Sequence, residues 1–492
     1  MKSIIIIIGL FLTYSGISQI NFIKSYGNNG YDHGRDIKQD LDTGYIVTGS
    51  SSSFYNGNAD AFLLKVDSLG NFKWSYNYGG AGADWGEAVV VTLDSVYALG
   101  GYTNSFGNGG FDFYLVKADI NGVPIWEKTY GGSDWDRAHD LIQMPDSGYV
   151  LVGETYSYGN GNMDIYIVRT DKNGDTLWTR TYGGSADDYA NAVLLDGDSL
   201  VISGGTTSFG NGMNDGLILK YHKNGSLGWV KVAGQDKDDY FNSITKITTS
   251  LGGYVAGGTR DYNHPNDCDC GQDFWYYFIT DNGTTVSDTS RGGETLGQEY
   301  VNDMIYLSNN QFIYSGSTTT WGIDVPNSSE GFIGRSTNTT FYVLAYINNF
   351  GDDGDDVVYA MDRCYDGGIV SVGDMTYNST GGMNIFILKT DLAYSVPFQV
   401  SQDLVNEIIT LSYKDIVQDS KLKVYPTLFN NIITIEGLPT EHQINVFDYS
   451  GQLVYTSSNT NTVIDLQHLK IGVYILTVQT NEGNYSTKII KQ

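Results

Sequence analysis

The residues with chemistry to offer are carboxylates, and they recur. Asp84, Asp136 and Asp188 each follow the second glycine of a Gly-Gly pair by four positions. Asp238 stands at the same distance from Gly234, Asp355 from Gly351 and Asp32 from Asn28. A second acidic string ends at Asp60, Asp112, Asp164 and Asp215, each preceded by Asn and Gly. Carboxylate and amide oxygens are hard ligands that suit Ca2+, and they also accept hydrogen bonds from a polyhydroxyl ligand. A plainer role is structural, because an aspartate at the start of a strand can accept backbone N–H bonds from a tight loop and would then repeat with the loop. Adjacent pairs such as Asp187 with Asp188 could run glycoside hydrolysis only with two carboxyls held about 5–10 Å apart and one pKa raised. Neighbours in a loop read more simply as solvated turns. His264, Cys268 and Cys270 could supply three metal ligands, although their spacing is irregular and no second pair follows. No Gly-x-Ser-x-Gly elbow, His-Glu-x-x-His or phosphate loop is present, and no motif requires a cofactor.

These aspartates belong to a repeat. Runs of an acidic residue followed by an apolar strand begin at Asp60, Asp112, Asp164 and Asp215, with weaker copies at Asp273, Glu330 and Asn384. Seven units of about fifty residues lie in the period range of propeller blades. Each unit reads as four strands, A to D. Strand A is exemplified by 87–93, B by 149–153, C by the acidic-apolar run and D by 126–131. Asn-Gly turns at 121–122, 173–174 and 224–225 join C to D. In such a meander the B–C and D–A loops emerge on one face, so both acidic strings share it. Cys364 falls in an A–B turn on the opposite face, which makes a bridge to Cys268 or Cys270 geometrically poor. The odd count of three cysteines excludes a disulfide scaffold.

The seventh unit ends at Lys389 without a strand D. The missing strand stands at the other end, where Phe22, Lys24, Tyr26 and Gly27 repeat the register of Trp126, Lys128, Tyr130 and Gly131. The spacing therefore predicts a seven-bladed all-β propeller closed by its N-terminal strand, which removes an exposed sheet edge. The strings at 130–138, 148–157, 164–169 and 173–174 resemble the seven-bladed beta-propeller repeat family. That resemblance implies a fold and little about chemistry.

The ends carry address signals. Lys2, the apolar run 4–12 and small residues Gly16 and Ser18 predict a signal peptide over 1–18. No later stretch is apolar enough to span a bilayer, so no membrane span is expected in the mature chain. The propeller is expected over 19–394, a linker or extra strand over 395–420, and a small Ig-like sandwich over 421–492. Val424, Tyr425 and Pro426 with Phe429 and Asn430, then Asp448 with Gly451, Gly472 to Tyr474 and Lys488 to Lys491 resemble the type A C-terminal sorting domain of the type IX secretion system. The resemblance implies export across an outer membrane, with that secretion machinery as partner of 421–492, and a secreted or outer-membrane-surface protein. Thr427 and Leu428 stand where the family often has Asn-Pro.

Composition narrows the remaining partners. The formal net charge of −28 over 492 residues disfavours nucleic acid and anionic membrane. Near-equivalent loops favour multivalent binding or adhesion, with carbohydrate or a surface protein as ligand. The alternative is a secreted glycan-active enzyme using loop carboxylates.

Overall fold

The computed structural model describes residues 22–27, 30–53, 58–248, 252–261, 271–291, 298–308, 311–319, 329–336, 344–350, 355–377, 382–390 and 409–410, and most of 423–491. Every named element is a β-strand. The chain divides into two compact units, Met1–Leu411 and Ser412–Gln492.

Among the described residues the first unit forms seven sheets, each with strands A, B and C in order and antiparallel. These are the seven expected blades. Strand A is innermost and runs over Asp32–Gln39, Asp84–Val91, Asp136–Gln143, Asp188–Asp196, Asp239–Lys246, Glu299–Ser308 and Asp356–Arg363 in blades 1 to 7. Strands B and C are apolar on both faces because a neighbouring blade covers each face. In blade 3, Tyr149–Thr155 and Asp164–Thr170 are buried throughout, whereas strand D, Thr176–Tyr182, alternates little and faces outward.

The core lies between blades. Ile46, Leu63 and Tyr78 of blade 1 pack against Val89, Leu99 and Tyr114 of blade 2. Comparable apolar clusters join each later pair of neighbours. The ring closes in the same way, with Val47, Phe62 and Leu64 of blade 1 against Val370, Val372 and Ile387 of blade 7. Each fully buried large side chain contributes roughly 1.5–3 kcal/mol, so every blade interface is held by many such terms.

The N-terminal strand Phe22–Gly27 is the outer strand of blade 7. It pairs antiparallel with Gly382–Lys389, Phe22 opposite Lys389 and Tyr26 opposite Ile385. Its side chains reproduce the contacts of the other D strands. The Tyr26, Tyr78 and Tyr130 hydroxyls donate to the carbonyls of Gly70, Gly122 and Gly174, each in the C–D turn of the next blade. Those turn glycines have positive φ, and the aromatic ring of the preceding blade covers them: a Cβ on Gly122 would lie 2.7 Å from Trp74, and one on Gly70 2.6 Å from Phe22. Lys24 reaches Asn71 at 2.7 Å as Lys128 reaches Asp175 at 3.0 Å. Residues Ile409–Thr410, inside the segment expected to be a linker or extra strand, pair in parallel with Tyr26 and Gly27 and extend this sheet. The expected signal peptide at 1–18 and the rest of 395–420 lie outside the described residues.

The second unit has a three-stranded and a five-stranded sheet. Both contribute to one apolar core, with Ile433, Ile435 and Ile464 from one and Ile444, Val446, Leu476 and Val478 from the other.

Candidate functional site

The recurrent aspartates begin strand A, and the structure shows what they hold. Asp32, Asp84, Asp136 and Asp188 are fully buried. Asp136 accepts from the Thr155 hydroxyl, from Ser157 Oγ at 2.7 Å and from the Gly132 amide at 2.7 Å. Asp188 is held alike by Thr206, Ser208 and Gly184, and Asp84 by Thr103, Ser105 and Gly80. Asp32 takes Ser51 and Ser53. Each carboxylate ties strand A to the end of strand B and, in blades 2 to 4, to the loop entering the blade.

In blades 5 and 7 this position belongs to Asp239 and Asp356, and in blade 6 to Glu299. Asp238 and Asp355 lie one residue earlier, in the row that holds the exposed Tyr31 in blade 1 and Trp135 in blade 3 and the half-buried Asp187 in blade 4. Asp355 is exposed and accepts from the Ser329 amide and hydroxyl, and Asp238 is half-buried. The difference arises from which glycine starts the count. Gly234 abuts Asp215 and Asp239 as Gly183 abuts Asp164 and Asp188, so it matches the first glycine of the pair rather than the second.

The aspartates that open strand C face the strand A aspartate of the next blade. A Cβ on Gly131 would come within 1.9 Å of Asp112 Oδ1 and 2.6 Å of Asp136 Oδ2. Glycine is required there because two carboxylates close on its Cα. Burial, with the Asp84 charge, raises the Asp60 carboxyl to about 6. Burial lifts Asp239 to about 6, with Asp215 adding to it. Asp112 and Asp164 are raised by the same causes. Among the described residues no group of three or more His, Cys, Asp or Glu is placed to hold a metal ion. His264, Cys268 and Cys270 lie outside them. Cys364 is buried in the A–B turn of blade 7.

A different set of residues lines the central channel, and the sequence reading passed over it. Every strand A has a β-bulge at its fourth residue. A bulge adds an unpaired residue and re-aims its side chain. The bulged residues are Arg35, Glu87, His139, Asn191, Asn242, Asn302 and Tyr359, and all line one cavity of about 400 Å³. No two of the first three are alike, so a regular scaffold presents an irregular ring.

The two sides of that ring differ. On blades 4 to 6 the asparagines stitch strands together, Asn191 donating to the Phe241 carbonyl, Asn242 to that of Val301 and Asn302 to that of Val358, each at 2.9 Å. On blades 1 to 3 the ring is charged, with Tyr359 of blade 7 beside it. Arg35 lies 4.1 Å from the Tyr359 ring centre and 3.9 Å from Glu87 Oε2, too far for a hydrogen bond to Glu87, and its Nε has no hydrogen-bond partner. Burial opposes the Arg35 charge, but Glu87, Tyr359 and Asp374 raise its pKa further. His139 Nε2 lies 2.7 Å from Glu154 Oε2, and Arg137 joins the same carboxylate at 3.4 Å. Against burial, Glu154 raises the His139 pKa, and His139 and Arg137 lower that of Glu154. His33 Nδ1 meets Asp374 Oδ2 at 2.7 Å. Deeper in the channel, burial lifts Asp140 to about 7, the Asp36 charge adding to it and the Val193 amide opposing it.

Above the charged side runs a ladder of rings. Trp85 stacks near Tyr102 at 6.0 Å, Tyr102 meets Phe111 edge-on at 5.2 Å, and Phe111 meets Trp135 at 5.8 Å. Arg137 lies 4.5 Å over Trp135, which is 47% exposed. The signal for this site was present in the repeats: after each strand A acid, the second and fourth residues vary while the acid itself persists.

Comparison with known proteins bears on the second unit. The family model described as "Secretion system C-terminal sorting domain" matches residues 423–492. Residues 423–492 are a type IX sorting domain. The chain is a β-propeller protein exported by type IX secretion, released or held at the outer-membrane surface. The regulatory protein FlaEY of Caulobacter vibrioides is 23% identical over 332 residues, covering 60% of this chain and 31% of FlaEY. The chain thus spans about a third of that curated relative. Among solved structures, PorZ of Porphyromonas gingivalis, a surface component of its type IX secretion system, aligns at 11% identity and a TM-score of 0.40 over 95% of this chain and 60% of PorZ. The β-propeller domain of the Trilobed protease from Pyrococcus furiosus aligns at 8% identity and a TM-score of 0.40 over 77% and 98%.

Proposed function

We propose that this sorted propeller is an extracellular binding module that takes its ligand at the channel mouth on blades 7 and 1 to 3. The observation that carries the reading is the asymmetry of the bulge ring. Seven equivalent strands deliver seven side chains to one place, and the charged ones, Arg35, Glu87 and His139, are gathered on one side of it. Concave sites that bring a few polar groups together beside aromatic surface are where small ligands bind. Asp32, Asp84, Asp136 and Asp188 serve this reading by fixing the loops, while Asp187 and Asp238 ahead of strand A in blades 4 and 5, and Asp355 ahead of it in blade 7, form a sparse acidic rim. Carbohydrate or a surface protein is the ligand class that an exported module meets. Ca2+ enters only if a ligand bridges the rim aspartates.

The test uses the full-length chain on an array of immobilised polysaccharides and envelope proteins, with product release assayed in parallel. The reading expects retention that Arg137→Ala and Trp135→Ala abolish and that Lys172→Ala, in a C–D turn on the opposite face, leaves unchanged. Retention indifferent to the mouth variants would contradict it. Turnover of a polysaccharide, lost with Glu87→Gln, would favour a glycan-active enzyme instead.

A further inference from the structure

We infer that the channel mouth reads a neutral saccharide through two adjacent hydroxyls, with Arg35 as donor, Glu87 as acceptor and the Trp85 ring as its apolar wall. The inference rests on the binding reading above and names its ligand class. Arg35 and Glu87 occupy the same bulge position on neighbouring strands, 3.9 Å apart between Nε and Oε2. Their charges are matched, yet no hydrogen bond joins these atoms, and the guanidinium Nε is unpartnered. A guanidinium beside a carboxylate presents a donor next to an acceptor. One hydroxyl of an adjacent pair can accept from the first while its neighbour donates to the second, and both bonds are charge-assisted.

The other ionic groups of the mouth are already occupied. Asp374 takes His33 and the Gly34 amide, the latter at 2.9 Å. Glu154 takes His139 and Arg137. They orient their partners and leave Arg35 and Glu87 as the pair with capacity to spare. Trp85 lies two residues before Glu87 on the same strand, its ring 5.6 Å from that of His33 and 6.0 Å from that of Tyr102, so it continues the aromatic row beside the carboxylate. Tyr359 flanks Arg35 on the other side. Aromatic walls with a polar pair at their foot suit a sugar, whose C–H face stacks while its hydroxyl edge is read. Charge at the mouth is matched, Glu87, Glu154 and Asp374 each lying beside Arg35, Arg137 with His139, or His33, so the site has no spare cation for an acidic sugar, and the net charge of −28 over the whole chain opposes the approach of a uronate.

Saturation-transfer NMR on the full-length protein tests this with the methyl glycosides of glucose, mannose and galactose, their monodeoxy analogues and the matching uronates. The expected result is binding of at least one neutral glycoside. It should weaken by roughly tenfold or more on removal of one of two neighbouring hydroxyls, and comparably in its uronate. Arg35→Ala, Glu87→Ala and Trp85→Ala should each remove the signal while their melting temperatures stay near that of the parent. Binding that tolerates every single deoxygenation, prefers the uronate, or survives Glu87→Ala overturns the inference even if polysaccharide retention stands. Absence of retention on the polysaccharide and protein array overturns the binding reading itself.

Discussion

At the scale of single residues, the recurring aspartates divide into two kinds that sequence position alone did not separate. Asp136 is enclosed and satisfied by two hydroxyls and an amide. Removing it strands all three donors, so Asp136→Ala is expected to destabilise the propeller by about 2–4 kcal/mol in chemical denaturation. Asp355→Asn, at an exposed loop tip, should change stability by less than about 0.5 kcal/mol. Equal effects from the two would show that burial does not distinguish them. Because the strand A carboxylates are filled by protein donors and no group of three or more His, Cys, Asp or Glu among the described residues is placed to hold a metal, EDTA should leave the melting temperature unchanged, and a drop would reveal a bound cation. The recurrence of Asp32, Asp84, Asp136 and Asp188 was plain in the chain. The exact register at Asp238 and Asp355 was not, because it depends on which glycine packs against two carboxylates, and that is a tertiary contact.

At the scale of elements, the closing strand was legible because its aromatic, cation and tyrosine positions obey the same period as every other strand D. Those side chains meet the C–D turn of the next blade, and the turn glycine that receives them is itself a sequence signal. The bulges of strand A were not legible. A bulge is a difference in count between two paired strands, and one strand read alone does not show it. The blade junctions also set an acid response. The Asp60 and Asp239 carboxyls, both raised to about 6, sit beside Asp84 and Asp215. A raised carboxyl contributes stability in full below its unfolded pKa near 4 and loses it as pH rises through about 6. Asp140, at about 7, acts in the same direction. The lowered carboxyls Asp40, Asp94 and Asp196, tied to lysines, oppose this only as pH falls through their own depressed pKa values. The melting temperature should therefore rise as pH falls from 8 to about 5 and decline below about 4. A monotonic loss of stability on acidification from pH 8 would contradict the paired-carboxylate account.

At the scale of the whole propeller, closure connects architecture to site. Blade 7 supplies Tyr359 and Asp374 to the same mouth as Arg35 and His33 of blade 1, so the site spans the seam that the N-terminal strand seals. Replacing both Phe22 and Tyr26 with Ala should lower the melting temperature and also weaken ligand retention, since an opened seam separates those groups. A loss of stability with retention intact would place the site away from the seam. Chain order revealed the ring and the sorting domain. It did not reveal the channel, because residues about fifty positions apart become neighbours only when the ring closes.

The most direct measurement is hydrogen exchange by mass spectrometry on the full-length protein with and without a saccharide that it retains. The account predicts protection concentrated in 31–36, 83–88 and 135–140, the strand A segments that carry His33, Trp85, Arg137 and the charged bulges. Protection confined to the loop tips at Asp238 and Asp355, or to the C–D turns on the opposite face, would contradict it.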